Sequence, residues 1–161
     1  GIPTSTPLSG SPSKRHGDIV TSPGLDITMD PKVQDSSVFT PGNLTMLFGQ
    51  IVEALEMKPL DKILIYEVPV DPAVLERVKA TGQFEDEGGI TTVQVISTSH
   101  LSLHAWPLQN FVSLDAFSCK DYDADKALRI IRDILGVSTE VTTIIRRRKP
   151  TGESQVQYFE V

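Results

Sequence analysis

One cysteine, Cys119, stands in 161 residues, so the chain can form no internal disulfide and no cysteine-cluster metal site. Long apolar runs are also missing. The longest clear one is Ile63-Leu64-Ile65-Tyr66, far short of the roughly 20 residues of a membrane span. The polar, proline-rich opening has no apolar h-region and does not read as a secretory signal. Basic residues are scarce too: 15 Lys and Arg face 21 Asp and Glu, a net charge of −6. That balance argues against a general nucleic-acid binder, whose footprint is basic. A hydrophobic share of 39% with 22% charged residues then describes a soluble globular enzyme or binding domain. A lone free thiol fits the reducing cytoplasm, with no membrane and no nucleic acid as partner.

Residues 1–24 hold Pro3, Pro7, Pro12 and Pro23 among Ser, Thr and Gly, and read as a flexible arm with too little apolar surface to offset its ordering entropy. Residues 25–161 read as one domain. Within it, 25–40 is ambiguous between an edge strand and a loop. From Pro41 to Met57, Leu44, Leu47, Phe48, Ile51, Val52 and Leu55 follow helical spacing, with Thr40 as N-cap and Pro59 as a stop. Lys62–Val68 reads as a buried strand, and Asp71-Pro72 opens a short helix. The acidic Glu85-Asp86-Glu87 reads as a solvated loop. Strands are expected at 90–97, 100–105 and 111–119, with Trp106–Asn110 as the turn between the last two. A second helix, 121–135, is stopped by Gly136, and a strand, 141–148, ends in Arg146-Arg147-Arg148, read as a solvated end. Lys149–Gly152 turns the chain out to a polar tail. Helices flanking an antiparallel run predict an α/β fold, a two-layer sandwich.

The chemistry-bearing residues gather in the 90–119 strands. Alternation puts His100, Ser102 and His104 on one face and Leu101 and Leu103 on the other. In the next strand Phe111, Ser113, Asp115, Phe117 and Cys119 share a face. A hairpin around Trp106–Asn110 joins the Ser99 and Cys119 ends, so that Thr91, Ser97, Thr98, Ser99, His104 and the thiol converge on one sheet edge. Three readings of these residues stay open. A metal site wants about three ligands, and two histidines at i, i+4 of a strand stand roughly 13 Å apart, too far to share an ion. A Cys–His nucleophile wants an activated thiolate, and Cys119 has only Lys120 as a charged neighbour. Or the histidines are structural and the cysteine a small core residue.

The run Val95-Ile-Ser-Thr-Ser-His-Leu-Ser-Leu-His-Ala-Trp-Pro107, followed by Phe111-Val-Ser-Leu-Asp-Ala-Phe-Ser-Cys119, closely resembles the core of the bacterial and archaeal pyruvoyl-dependent S-adenosylmethionine decarboxylases. The resemblance covers about residues 88–150. Thr98 stands where the family pattern has glutamate, and Thr91-Thr92 where it has serine-glycine. The resemblance implies a two-layer α/β sandwich and self-cleavage between Thr98 and Ser99, leaving a pyruvoyl group, generated from Ser99, that forms a Schiff base with the substrate amine. It also implies that His104 and the Thr91 hydroxyl assist processing, that Cys119 is the proton donor, and that the enzyme is a homodimer whose subunits both contribute to the active sites. The substrate is S-adenosylmethionine, for spermidine and polyamine synthesis. The threonine departures leave two alternatives: decarboxylation of another amino acid such as arginine or ornithine, or an unprocessed, non-catalytic relative binding a nucleoside-like ligand or a partner protein.

Overall fold

The computed structural model describes residues 23–147 and the backbone of 155–160. The flexible arm expected for residues 1–24 therefore lies almost wholly outside the described residues, as do Arg148 and the turn at 149–152. Seven strands form one antiparallel sheet: β1 (Gly24–Val33), β2 (Leu64–Val68), β3 (Gly89–Ile96), β4 (Ser99–Trp106), β5 (Phe111–Ser118), β6 (Val137–Arg147) and β7 (Gln155–Glu160). Their order across the sheet is β2-β3-β4-β5-β1-β6-β7. The helices are α1 (Pro41–Ala54), α2 (Pro72–Thr81) and α3 (Ala124–Leu135).

α1 begins where expected: the Thr40 hydroxyl accepts the Asn43 amide, and Pro41 takes the first turn, where a missing N–H costs nothing. It ends at Ala54, five residues before Pro59. In α3 the Asp123 carboxylate caps the Lys126 amide and Gly136 closes the last turn with a left-handed backbone. α1 and α3 pack on each other and on one face of the sheet. Leu44, Leu47, Phe48 and Ile51 of α1 and Ala127, Leu128, Ile131 and Leu135 of α3 close over Leu25, Ile27, Met29, Leu101, Leu103, Val112, Leu114 and Ile144. Each large side chain fully buried there stabilises the fold by about 1.5–3 kcal/mol. The two-layer α/β sandwich expected from the sequence is thus the observed architecture.

Three expectations are corrected. Residues 25–33 form neither a loop nor an edge strand; β1 lies inside the sheet, hydrogen-bonded to β5 on one side and β6 on the other. Conversely β2, expected to be buried, is an edge strand with β3 as its neighbour, and Leu64, Tyr66 and Val68 are exposed. The apolar run sets strand propensity, but α1 and α3 cover the middle of the sheet and leave this margin open. Finally, the segment read only as a polar tail contains a strand at 155–160, where β7 pairs with β6 from Val141↔Glu160 to Arg146↔Gln155.

Candidate active site

The face of the sheet turned away from α1 and α3 carries the polar side chains that alternation assigned to it. Opposite each buried Leu101, Leu103 and Ala105, strand β4 exposes His100, Ser102 and His104 in part, and β5 does the same with Ser113, Asp115 and Phe117. A depression of about 370 Å³ runs across this face, lined by Thr28, Asp30, Thr91, Ser102, His104 and Asp115 among others. The β4–β5 register pairs Ser99 with Ser118, so the hairpin does bring the Ser99 and Cys119 ends together.

At that end the chain reverses through Ser97 and Thr98. The Cys119 N–H donates to the Thr98 carbonyl at 2.8 Å, and the Ser118 hydroxyl donates to the Thr98 hydroxyl at 2.8 Å. The carbonyl and the hydroxyl of Thr98 are thus both held by the end of β5. Ser99 has φ of +146°, a backbone conformation that side-chain-bearing residues rarely adopt. Its hydroxyl lies 2.9 Å from His100 Nδ1. The other ring nitrogen of His100, Nε2, is 3.8 Å from Asp115 Oδ2. Gly24, at the start of β1 with φ of +146°, lies so close to the Ser118 carbonyl and the Cys119 Cα that a Cβ there would collide with both. Cys119 itself is exposed.

Beneath His100 lies a carboxyl pair. Burial, and then the hydrogen bond and charge of Asp115, push the Asp26 carboxyl up to about 7, with the Arg147 guanidinium pulling the other way. Arg147 itself sits over the Phe117 ring, 4.6 Å from its centre. Arg146 donates to Asp121 at 2.9 Å. The basic strand end, expected to be solvated, is therefore engaged at both of its described arginines.

The other end of β4 is built differently. Thr91 on β3 and His104 on β4 are register partners, and Thr91 Oγ1 lies 2.7 Å from His104 Nδ1. Trp106 packs edge-on to His104 with centroids 4.5 Å apart, stacks on Phe111, and donates its indole N–H to Asp86. Glu87, expected in a solvated loop, is 2% exposed and accepts the amides of Leu108 and Gln109, which fastens the turn between β4 and β5. An acidic run reads as solvated because its ligands, two backbone amides some twenty residues on, leave no local mark.

The single convergence expected from the sequence is therefore two sites. Thr98, Ser99 and Cys119 meet at one end of β4, while Thr91 and His104 meet at the other, five residues along an extended strand and so about 16 Å away. Strand alternation gave the faces correctly, but a β-strand cannot fold back to join its own ends. Sequence reasoning also missed Asp26, whose strand was ambiguous, and gave His100 and Asp115 a face without a task. Their signal was the position of His100 directly after Ser99 and of Asp115 on the same exposed face. Among the described residues no group of three His, Cys, Asp or Glu side chains stands close enough to hold a metal ion.

The threonines that depart from the family pattern are accommodated. Thr91 keeps its hydroxyl on His104, and Thr92 is fully buried with its hydroxyl donating to the Leu64 carbonyl of the edge strand at 2.9 Å.

Comparison with known proteins bears on the family and the fold. The sequence model of S-adenosylmethionine decarboxylase matches residues 43–148. The S-adenosylmethionine decarboxylase proenzyme of Methanococcus maripaludis is 34% identical over 110 residues, covering 66% of this chain and 88% of that protein. The proenzyme of Archaeoglobus fulgidus is 32% identical over 85 residues, 52% of this chain and 75% of the relative. The crystal structure of the adenosylmethionine decarboxylase from Aquifex aeolicus superposes with a TM-score of 0.62 at 21% identity, covering 84% of this chain and 99% of that one, and shares the fold. A family match over well more than half its length makes this chain a member of the S-adenosylmethionine decarboxylase family.

Proposed function

We propose that this chain is a proenzyme that cleaves itself between Thr98 and Ser99 and then decarboxylates S-adenosylmethionine for polyamine synthesis. The observation that carries the reading is the state of the Thr98–Ser99 peptide. Its carbonyl is polarised by the Cys119 N–H at 2.8 Å, and the residue supplying the hydroxyl is held at φ of +146°. Attack of a serine hydroxyl on the preceding carbonyl puts negative charge on that carbonyl oxygen, and a fixed N–H aimed at it stabilises that charge. Strain at the serine raises the energy of the intact chain and is relieved as the peptide opens.

A pyruvoyl group generated from Ser99 would stand at the start of β4 beside the His100 ring, at the end of the sheet where the exposed Cys119 thiol lies. When present, such a group supplies an electron sink for the pair left behind by departing CO₂. The chain's own residues do the rest. Ser118 and the Cys119 amide hold the Thr98 end. The exposed Cys119 thiol delivers a proton to the substrate carbon from Sγ.

Thr91 and His104 lie about 16 Å along β4 from Ser99. Their part in processing therefore calls for a second copy of the chain, whose own Thr91–His104 pair approaches this Ser99. That requirement supports a homodimer, and the lone free thiol supports a cytoplasmic setting.

The test is the intact mass of freshly purified protein followed over time. The expected result is conversion into two chains broken between Thr98 and Ser99, blocked in Ser99→Ala, with CO₂ released from carboxyl-labelled S-adenosylmethionine only after cleavage. A chain that stays whole through prolonged incubation overturns the reading.

A further inference from the structure

We propose that His100 is the base for the first step of self-cleavage, taking the Ser99 hydroxyl proton at Nδ1, with Asp115 as the positioning residue at its opposite nitrogen. The proposal rests on self-cleavage at Thr98–Ser99 and assigns a proton acceptor to it.

Of the two histidines in the described residues, His104 is bonded to Thr91 at the far end of the strand, whereas His100 Nδ1 is 2.9 Å from the Ser99 hydroxyl. A hydroxyl becomes a nucleophile when a neighbouring base accepts its proton, and the geometry required is hydrogen-bond reach. Which ring nitrogen is free to accept is set by what the other one faces. Nε2 faces the Asp115 carboxylate at 3.8 Å, which favours the tautomer with its N–H on that side, and in that tautomer Nδ1 accepts from the Ser99 hydroxyl. Once Nδ1 has taken the proton, the imidazolium stands next to a carboxylate that stabilises it. Nucleophile, base and orienting carboxylate thus follow one another across β4 and β5.

The step balances without a co-reactant. The Ser99 oxygen bonds to the Thr98 carbonyl carbon as its proton passes to His100. The bond from that carbon to the Ser99 nitrogen then breaks, and His100 returns the proton to the nitrogen. The product is an ester between Thr98 and the Ser99 side chain, isomeric with the starting peptide.

Four groups bear on the ring. Asp115 and Phe117 face it from β5, with the Phe117 and His100 centroids 6.3 Å apart. Asp26 reaches Asp115 from β1, and Arg147 of β6 covers Phe117. The Asp26 carboxyl, raised by burial and by Asp115, stands behind the carboxylate that faces His100.

The experiment compares refolded full-length wild type, His100→Gln, Asp115→Asn and His104→Gln by intact mass, with and without hydroxylamine, which splits esters and spares amides. Wild type cleaves unaided. His100→Gln is expected to cleave at least 100-fold more slowly and to yield no hydroxylamine-labile bond, because the ester never forms. His104→Gln, altered about 16 Å along β4 and leaving the His100–Ser99 contact in place, should still form the ester, seen either as cleavage or as a hydroxylamine-labile bond. Asp115→Asn should retain cleavage at a rate reduced about tenfold, with the rise of rate with pH displaced relative to wild type. Should His100→Gln not fold, His100→Ala assayed with added imidazole takes its place, and rescue is expected. Cleavage of the His100 variant at the wild-type rate, or an ester trapped in it by hydroxylamine, overturns the assignment while leaving self-cleavage standing. A wild-type chain that never cleaves overturns the parent reading instead.

Discussion

The two ends of β4 carry similar residue types and are built in opposite ways. At the His104 end the ladder is regular: Thr91 and His104 face each other in register, Trp106 and Phe111 wall them in, and Glu87 ties down the turn. At the Ser99 end the backbone leaves the allowed regions, and its neighbours are held by backbone contacts: Cys119 to Thr98, and Gly24 against Ser118 and Cys119. One end fixes two side chains by ordinary sheet geometry; the other holds one peptide bond in an unfavourable shape. The difference teaches that strain needs support from elements remote in sequence, here β1 and β5, whereas a cross-strand pair needs only its own ladder.

The largest expected effect breaks this contrast at the strained end. Gly24→Val places a branched side chain into the Ser118 carbonyl and the Cys119 backbone and forces a positive φ on a β-branched residue. Overpacking together with the backbone penalty should cost about 2–4 kcal/mol, read as a lowered urea midpoint. Amide exchange at Cys119, whose N–H holds Thr98, should accelerate far more than exchange around His104. An unchanged midpoint would show that β1 does not brace this end.

How much of this was legible in the sequence follows from the range of each interaction. α1 and α3 were readable because Leu44, Leu47 and Ile51, or Ala127, Leu128 and Ile131, repeat at helical spacing within one element. The β4–β5 hairpin was readable because Trp106–Asn110 is a local turn between two alternating runs. β1 was not, since Asp26, Thr28 and Asp30 alternate with apolar residues as they would in an edge strand. Only pairing with both β5 and β6 puts it inside. The separation of Ser99 from His104 was arithmetically available, five residues of strand, but a motif read as a string places its members together. The carboxyl pair depends on β1 lying beside β5, and so stayed hidden with β1.

A smaller and pH-selective effect sharpens the comparison from beneath the Ser99 end. Burial and the neighbouring Asp115 raise the Asp26 carboxyl from 3.8 to about 7, so the folded chain binds this proton more tightly than the unfolded one. Its contribution to stability is fully present below about pH 4 and is lost as the pH rises through about 7. Asp26→Asn cannot ionise, yet it can still donate to Asp115. The melting temperature of the variant should therefore fall less than that of wild type between about pH 5 and pH 8. Parallel curves for the two proteins would mean that the carboxyl pair does not carry the proton assigned to it.

The smallest effect is expected at the regular end. Thr91→Val keeps the shape and the β-branched stem and removes one hydroxyl, so the ladder to β2 and β4 stays intact and only the 2.7 Å contact to His104 is lost. A single part-buried hydrogen bond of this kind is worth about 1 kcal/mol, and the unfolding free energy from guanidinium titration should drop by no more than that. The ring nitrogens of His104 should shift in the nitrogen NMR spectrum, because Nδ1 loses its partner, while those of His100 stay in place. If both histidines shift together, the two ends of β4 communicate through the sheet, and the division of labour between a strained end and a regular one no longer holds. If His104 alone responds, each end can be altered without disturbing the other, which is what the proposed sharing of the two ends between two copies of the chain requires.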